Sequence, residues 1–166
     1  MRGPFIAGAD EEDQPTWNIW EYNFAADTLR RVISSDLNAE AGHDVAPAYL
    51  PDGRIVFSST RQRTSKAVLL DEGKQQFDAL DEDRNEPAFV LHVMNADGSD
   101  IQQISFNQSH DLDPSILANG QILFSRWDNA AANSEINLYR MNPDGTGLEL
   151  YYGARSHETG TDGATI

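Results

Sequence analysis

The chain contains no cysteine among its 166 residues. This absence excludes disulfide bridges, thiolate metal ligands, thiol nucleophiles and a haem attached through a Cys-x-x-Cys-His motif within the chain. No apolar run approaches the roughly 18 residues of a membrane span, so we expect no membrane insertion. The apolar stretch at residues 1–9 is too short and too interrupted to predict a signal peptide.

Basic residues are also scarce, with 12 Lys and Arg against 27 Asp and Glu and a formal net charge of −15. The only basic groupings are Arg30-Arg31 and Arg61-Gln62-Arg63. Nucleic acid is bound largely through cations that meet phosphates, so we expect no nucleic-acid partner. An anionic membrane surface is disfavoured for the same reason. The simplest interpretation of the acidity is that it keeps the protein soluble.

Two segments of the sequence are repeated. Residues 43–58 return at 110–125, shifted by 67 positions, with His, Asp, Pro, Leu, Gly, Ile, Phe and Ser coinciding. Residues 91–99 return at 138–146, shifted by 47, and an earlier copy begins at Ile19, 72 positions before Leu91. The three shifts agree if the period is 47, an insertion of 20 residues follows Arg61 and the loop before His43 is longer by 5. A fixed period of this size indicates a repeat architecture.

Each repeat predicts four short antiparallel strands. In the first complete repeat they lie at 46–50, 55–58, 89–94 and 101–106, and Gly-containing turns join the first pair and the last pair. Four strands in each unit, at a period of about 40 to 50 residues, are typical of a propeller blade. The fold class predicted is therefore all-β, built from β-propeller blades.

The predicted domain division leaves the propeller incomplete, with about two and a half to three blades. An irregular acidic segment at 1–17 precedes the propeller region at 18–158, and a tail follows at 159–166. Within that region we predict a half blade at 18–33, a blade at 44–106 with an insertion at 62–88, and a blade at 111–152. A closed propeller needs at least about four blades. The chain is then a segment of a longer protein, a member of a ring of copies, or an open stack with exposed sheet edges.

The run Asp-x-x-Pro-x-x-Leu-Pro-Asp-Gly-Arg-Ile-Val-Phe-Ser-Ser at 44–59, followed by the strand and turn at 91–98, resembles the TolB-like β-propeller repeats. Phe-Ser-Arg-Trp-Asp at 124–128, after His-Asp-x-Asp-Pro at 110–114, is similar to the propeller domain of hydrazine synthase alpha-subunit-like proteins. The resemblance implies a propeller of six or more blades, with the first strand of each blade lining a central channel. It also implies an exported protein, periplasmic or extracellular, that serves as a docking platform or as a gating domain beside an enzyme. The haem-attaching motifs of the second group do not occur here, so no redox chemistry is carried over.

One repeat position combines imidazole and carboxylate groups, which are ligands for Zn²⁺, Fe²⁺ and Cu²⁺. If the blades surround an axis, these groups converge at the channel mouth, with Arg126 and Trp127 near the rim. The candidate ligand-binding residues are His43, Asp44, His110, Asp111, His157, Glu158, Arg126 and Trp127. The competing interpretation is structural: the aspartates accept backbone hydrogen bonds and the histidines bridge neighbouring blades. No catalytic residue and no cofactor is predicted, and a transition metal remains an open alternative.

Two functions follow as hypotheses. The first is a non-catalytic binding or scaffold module whose loops at 62–88 and 127–136 contact a protein partner. The alternative is the propeller domain of a metal- or haem-associated enzyme, with the His and Asp positions binding a ligand or metal. The partner expected is another protein, the remaining blades of the same propeller, or a second copy in which residues 157–166 complete the half blade at 18–33.

Overall fold

The computed structural model describes residues 6–10, 13–62, 67, 70–73, 79–81, 83–130 and 133–153. The elements that lie wholly within these residues are ten strands and one short helix. In chain order they are β1 (Trp20–Asn23), β2 (Thr28–Arg31), α1 (Asp36–Ala39), β3 (Asp44–Tyr49), β4 (Ile55–Ser59), β5 (Val90–Met94), β6 (Gln102–Gln103), β7 (Asp111–Ile116), β8 (Ile122–Ala130), β9 (Asn133–Met141) and β10 (Glu149–Tyr152).

The described strands form three antiparallel sheets in which neighbours in sequence are neighbours in space. The half sheet is β1-β2, the middle sheet is β3-β4-β5-β6, and the last sheet is β7-β8-β9-β10. The prediction of an all-β fold made of four-stranded meanders is confirmed. Strand β6 is shorter than predicted because a side chain replaces a backbone acceptor. The N–H of Leu91 is accepted by the Ser105 hydroxyl, at 2.8 Å.

The sheets stack through the same side-chain positions twice. Three residues of the middle sheet pack on the half sheet, and the equivalent three residues of the last sheet pack on the middle sheet. These triads are Ile55, Phe57 and Met94, and Ile122, Phe124 and Met141. All residues of β4 are buried. They are buried because both faces of the middle sheet are covered, which explains the consecutive apolar residues of this strand.

Turn glycines allow this close stacking. Gly98 and Gly145 hold the same repeat position, at φ values of +82° and +83°. A Cβ atom on Gly98 would lie 2.3 Å from the carbonyl oxygen of Val32, and one on Gly145 would lie 2.6 Å from that of Ile104. Val32 and Ile104 are themselves equivalent, 72 positions apart. Each turn therefore touches the backbone of the preceding sheet at a point where a side chain has no room.

The first strand of each complete sheet carries a bulge. The pairing of β3 with β4 shifts between Val45 and Ala48, and Ala46 has φ of 49°. The equivalent shift in β7 contains Asp113, with φ of 52°. A proline follows each of these residues, and proline, which has no N–H to donate, is tolerated in a sheet at such bulges.

Candidate functional site

The carboxylate of Asp44 is held by Arg61. The residue is buried at the start of β3, and its two oxygens accept the Arg61 Nη2 at 2.7 and 2.5 Å. The Ser59 hydroxyl adds a hydrogen bond of 2.7 Å. Burial raises the pKa of Asp44, while the charge of Arg61 and these hydrogen bonds act against that rise. The pair is thus a buried salt bridge, which needs both partners to offset the desolvation of each charge.

Asp111 is held in the same way at the start of β7. Arg126 donates from Nε to Oδ1 at 2.8 Å and from Nη2 to Oδ2 at 2.9 Å, a bidentate geometry. Burial alone would lower the pKa of Arg126, but its hydrogen bonds and charge pairing with Asp111 raise it instead. Asp44 and Asp111 therefore each have a guanidinium partner inside the sheet stack.

The two arginines occupy different positions of the repeat, so aligning the two repeats did not pair Arg61 with Arg126. The repeat aligns Arg126 with Ser59, and it aligns Arg61 with Asp128. The guanidinium groups nevertheless lie over equivalent rings, Arg61 at 5.9 Å from the centre of Phe57 and Arg126 at 5.6 Å from that of Phe124. Asp128 instead accepts hydrogen bonds from Asn137 and Tyr139, each at 2.9 Å. A search for an arginine within two residues of the aligned position would have found Arg61.

The two histidines join successive sheets. His43 Nδ1 accepts the backbone N–H of Trp17, and His110 Nδ1 accepts that of Phe89, both at 3.1 Å. The next residue in each case returns a bond, from the N–H of Asp44 to the carbonyl of Trp17 and from that of Asp111 to the carbonyl of Phe89. An accepting Nδ1 places the proton of the neutral ring on Nε2. Each His-Asp pair thus links its sheet to the backbone before the third strand of the preceding unit.

Aromatic rings are stacked beside His110. The ring of Phe89 lies 6.0 Å from the imidazole, and that of Trp127 lies 6.3 Å away on a nearly parallel plane, at 12°. The position of Trp127 in the preceding repeat is Thr60, so the Trp127 ring itself has no counterpart there. The structure therefore brings together four of the predicted residues, His110, Asp111, Arg126 and Trp127.

The third predicted pair, His157 and Glu158, lies outside the described residues. Among the residues described, no three His, Asp or Glu side chains are placed to share a metal ion. The structure describes the His43-Asp44 and His110-Asp111 pairs. Their role in ligand binding stays a prediction.

A further histidine, His92, was not predicted and lies in the middle sheet. It is buried beside a cavity of about 360 Å³ that Asn38, Arg61 and Gln103 also line. Its Nδ1 lies 3.0 Å from the carbonyl oxygen of Val90. Burial lowers the pKa of His92 to about 4, and the Arg61 charge contributes to the lowering. His92 is therefore a neutral group of the stack near pH 7.

Stacked four-stranded meanders, each touching its neighbour through equivalent residues, define a β-propeller fold. No family model matches the chain, and no curated protein matches it. Two solved structures share the fold. A protein described as a TolB of Agrobacterium tumefaciens is 18% identical, with a TM-score of 0.55, over 80% of this chain and 40% of its own. Hydrazine synthase of Kuenenia stuttgartiensis is 21% identical, with a TM-score of 0.61, over 87% of this chain and 23% of its own. The chain thus spans less than half the length of either protein, and the likeness is one of fold.

Proposed function

We propose that this chain is a non-catalytic binding or scaffold module, a propeller segment that mediates protein–protein association within a larger protein or assembly. One observation carries the proposal. In the part of the chain that the structure describes, no sheet packs on the face of the last sheet that corresponds to the buried apolar face of the middle sheet. This outer face consists of Leu123, Ile136, Leu138, Arg140 and Tyr151.

The repeat identifies the outer face as a packing surface. Leu123 is equivalent to Val56, and Leu138 is equivalent to Leu91. Val56 and Leu91 are fully buried beneath the last sheet. On the outer face, in contrast, Ile136 is 62% exposed and Tyr151 is 50% exposed. Leu123 and Leu138 are partly buried, unlike their fully buried equivalents. Exposed apolar side chains grouped on one face mark surfaces for association.

Arg140 gives the outer face a chemistry of its own. It replaces Val93 of the middle sheet, bonds Glu149 at 2.7 Å and lies 5.5 Å from the ring centre of Tyr151. The surface consequently combines apolar side chains with the ion pair of Arg140 and Glu149. We expect the partner surface to combine apolar residues with a hydrogen-bond acceptor. It would then differ from Ile122, Phe124 and Met141, the wholly apolar triad that packs on the middle sheet.

An exported location, periplasmic or extracellular, belongs to this proposal, and the likeness to a TolB supports it. In the described part of the chain, no helix has the length and apolarity to cross a membrane. The likeness to hydrazine synthase supports a second candidate, an enzyme-associated propeller with metal or ligand at the His-Asp positions. Stoichiometric transition metal in the purified chain, lost in His110→Ala, would support this second candidate. A metal-free chain would remove its main support.

The association surface is tested by molar mass in solution. Leu138→Glu places a charge in the middle of the outer face, and Leu37→Glu places the same charge on α1, where Leu37 is exposed. We expect the wild-type chain and the Leu37→Glu control to associate as concentration rises, and Leu138→Glu to remain closer to the 18.4 kDa monomer. A wild-type chain that is monomeric throughout, with no effect of Leu138→Glu, would contradict association of copies through the outer face.

A further inference from the structure

We infer that the open edge of β1 and the two cavities beside it accept a two-stranded β-hairpin with the sequence pattern of residues 44–59. The inference deepens the proposed function and rests on it, because it names the kind of partner that the half sheet takes. It concerns the end of the stack opposite to the outer face, so the two surfaces are tested separately.

The edge of β1 is open among the described residues. There β1 pairs with β2, whereas β5 and β9, at the equivalent position, each pair with a strand on both sides. The carbonyl of Ile19 accepts the N–H of Val32, so it points towards β2. Because backbone groups alternate along a strand, those of Trp20 and Tyr22 point to the open edge. Such an edge pairs readily with an added strand.

Two cavities adjoin this edge. One, of about 240 Å³, lies between β1 and Pro47, Tyr49 and Ile55 of the middle sheet. The other, of about 470 Å³, lies between Trp20 and the bulge of β3. In the next interface along the stack, β7 packs directly against both β3 and β4. The cavities thus occupy the place that the first two strands of a blade fill one sheet later.

The repeat also supplies the register of the incoming hairpin. In the middle sheet Val56 pairs with Val93 and Phe57 pairs with His92. The residues of β1 that are equivalent to Val93 and His92, 72 positions earlier, are Glu21 and Trp20. A side chain opposite Glu21 would enter the smaller cavity, where Arg30 bonds the Glu21 carboxylate at 2.7 Å and the Tyr49 hydroxyl also donates to it.

Side chains on the other face of the incoming strand meet a second apolar surface. Trp20, Tyr22 and Leu29 are 37%, 45% and 51% exposed there. The occupant therefore needs apolar residues on both faces of one strand, as in Ile55–Ser59. An amphipathic helix has one apolar face and no free backbone groups with which to pair the edge, so the surface favours a hairpin.

The probe is a synthetic peptide of residues 43–60 of this chain, which contains no tryptophan. Titrated into the full chain carrying Trp127→Phe, the peptide should change the fluorescence of Trp17 and Trp20 in a saturable way. A scrambled peptide of the same composition should not. Equal responses to the two peptides would overturn the inference without requiring any further variant.

Two variants isolate the backbone contact. Tyr22→Pro removes the ring and the edge-facing N–H, while Tyr22→Thr removes the ring and keeps the N–H. We expect Tyr22→Pro to bind the peptide about tenfold more weakly than Tyr22→Thr, because an edge hydrogen bond is lost. Equal affinities in two folded variants, checked by circular dichroism, would overturn the inference. Leu138→Glu should leave peptide binding unchanged, so failure at the β1 edge is distinguishable from failure of the outer face.

Discussion

The buried histidine of the middle sheet makes stability depend on pH in a defined direction. His92 has a pKa of about 4 in the fold, against an ordinary histidine pKa of 6.5. Because the folded pKa is lower, the unfolded chain binds the proton more tightly, and acid favours unfolding. The stabilising effect of the neutral ring is complete above the unfolded pKa and is lost as the pH falls towards the folded pKa.

The magnitude follows from the two values. The whole gap corresponds to about 3 kcal/mol of unfolding free energy. Between about pH 7.5 and about pH 5.5, linkage gives a loss of about 1.4 kcal/mol from this group. The lower limit is kept above the sequence pI of 4.4 so that the chain retains net charge.

The assay is urea unfolding at both pH values, followed by tryptophan fluorescence at one fixed protein concentration. The matched variant is His92→Gln, which does not titrate and keeps an amide donor for the carbonyl of Val90. The other histidines are common to both proteins, so their effects cancel in the difference between the two. The wild-type chain should lose about 1.4 kcal/mol more than His92→Gln. Parallel pH dependences would refute the reasoning.

Three substitutions test other features of the stack, each by its unfolding free energy. Gly98→Ala should destabilise by roughly 2–4 kcal/mol, because the added Cβ meets a backbone carbonyl of the half sheet at a positive φ; an unchanged midpoint would show that the turns are not in contact. Ala46→Gly should stabilise by about 0.5 kcal/mol, since it relieves a left-handed alanine, whereas the control Ala48→Gly should destabilise. Asp111→Ala should cost about 3–5 kcal/mol because it leaves Arg126 charged and unpaired, and adding Arg126→Met should restore most of the loss; a double variant no better than the single would contradict the pairing.

Local patterns in the sequence sufficed to predict the meanders. Turn chemistry at Gly53 and Gly98 and the consecutive apolar residues of β4 act over a few positions, so the four-stranded meanders were predicted and are confirmed. The loop predicted at 127–136 is wrong, because β8 and β9 remain paired as far as Ala130 and Asn133. The contact of Gly98 with Val32 was not predicted, because it depends on how closely two sheets approach. The positive φ of Ala46 was also missed, since an alanine gives no local sign of a left-handed backbone.

The candidate site was harder to predict because repeats align sequence positions and not atoms. The alignment placed His43 with His110, and both rings do accept a backbone N–H at equivalent positions. It could not pair Arg61 with Arg126, since the two guanidinium groups reach equivalent carboxylates from positions two residues apart in the repeat. His92 was missed because its chemistry comes from burial, which a single sequence does not report.

The most direct test of the proposed binding module is the molar mass of the wild-type chain across a concentration series, measured by light scattering on a chromatography peak. If the uncovered sheet faces are association surfaces, the mass rises above 18.4 kDa with concentration, and Leu138→Glu lowers it. A mass of one chain at every concentration, in both proteins, would contradict association of copies through these faces.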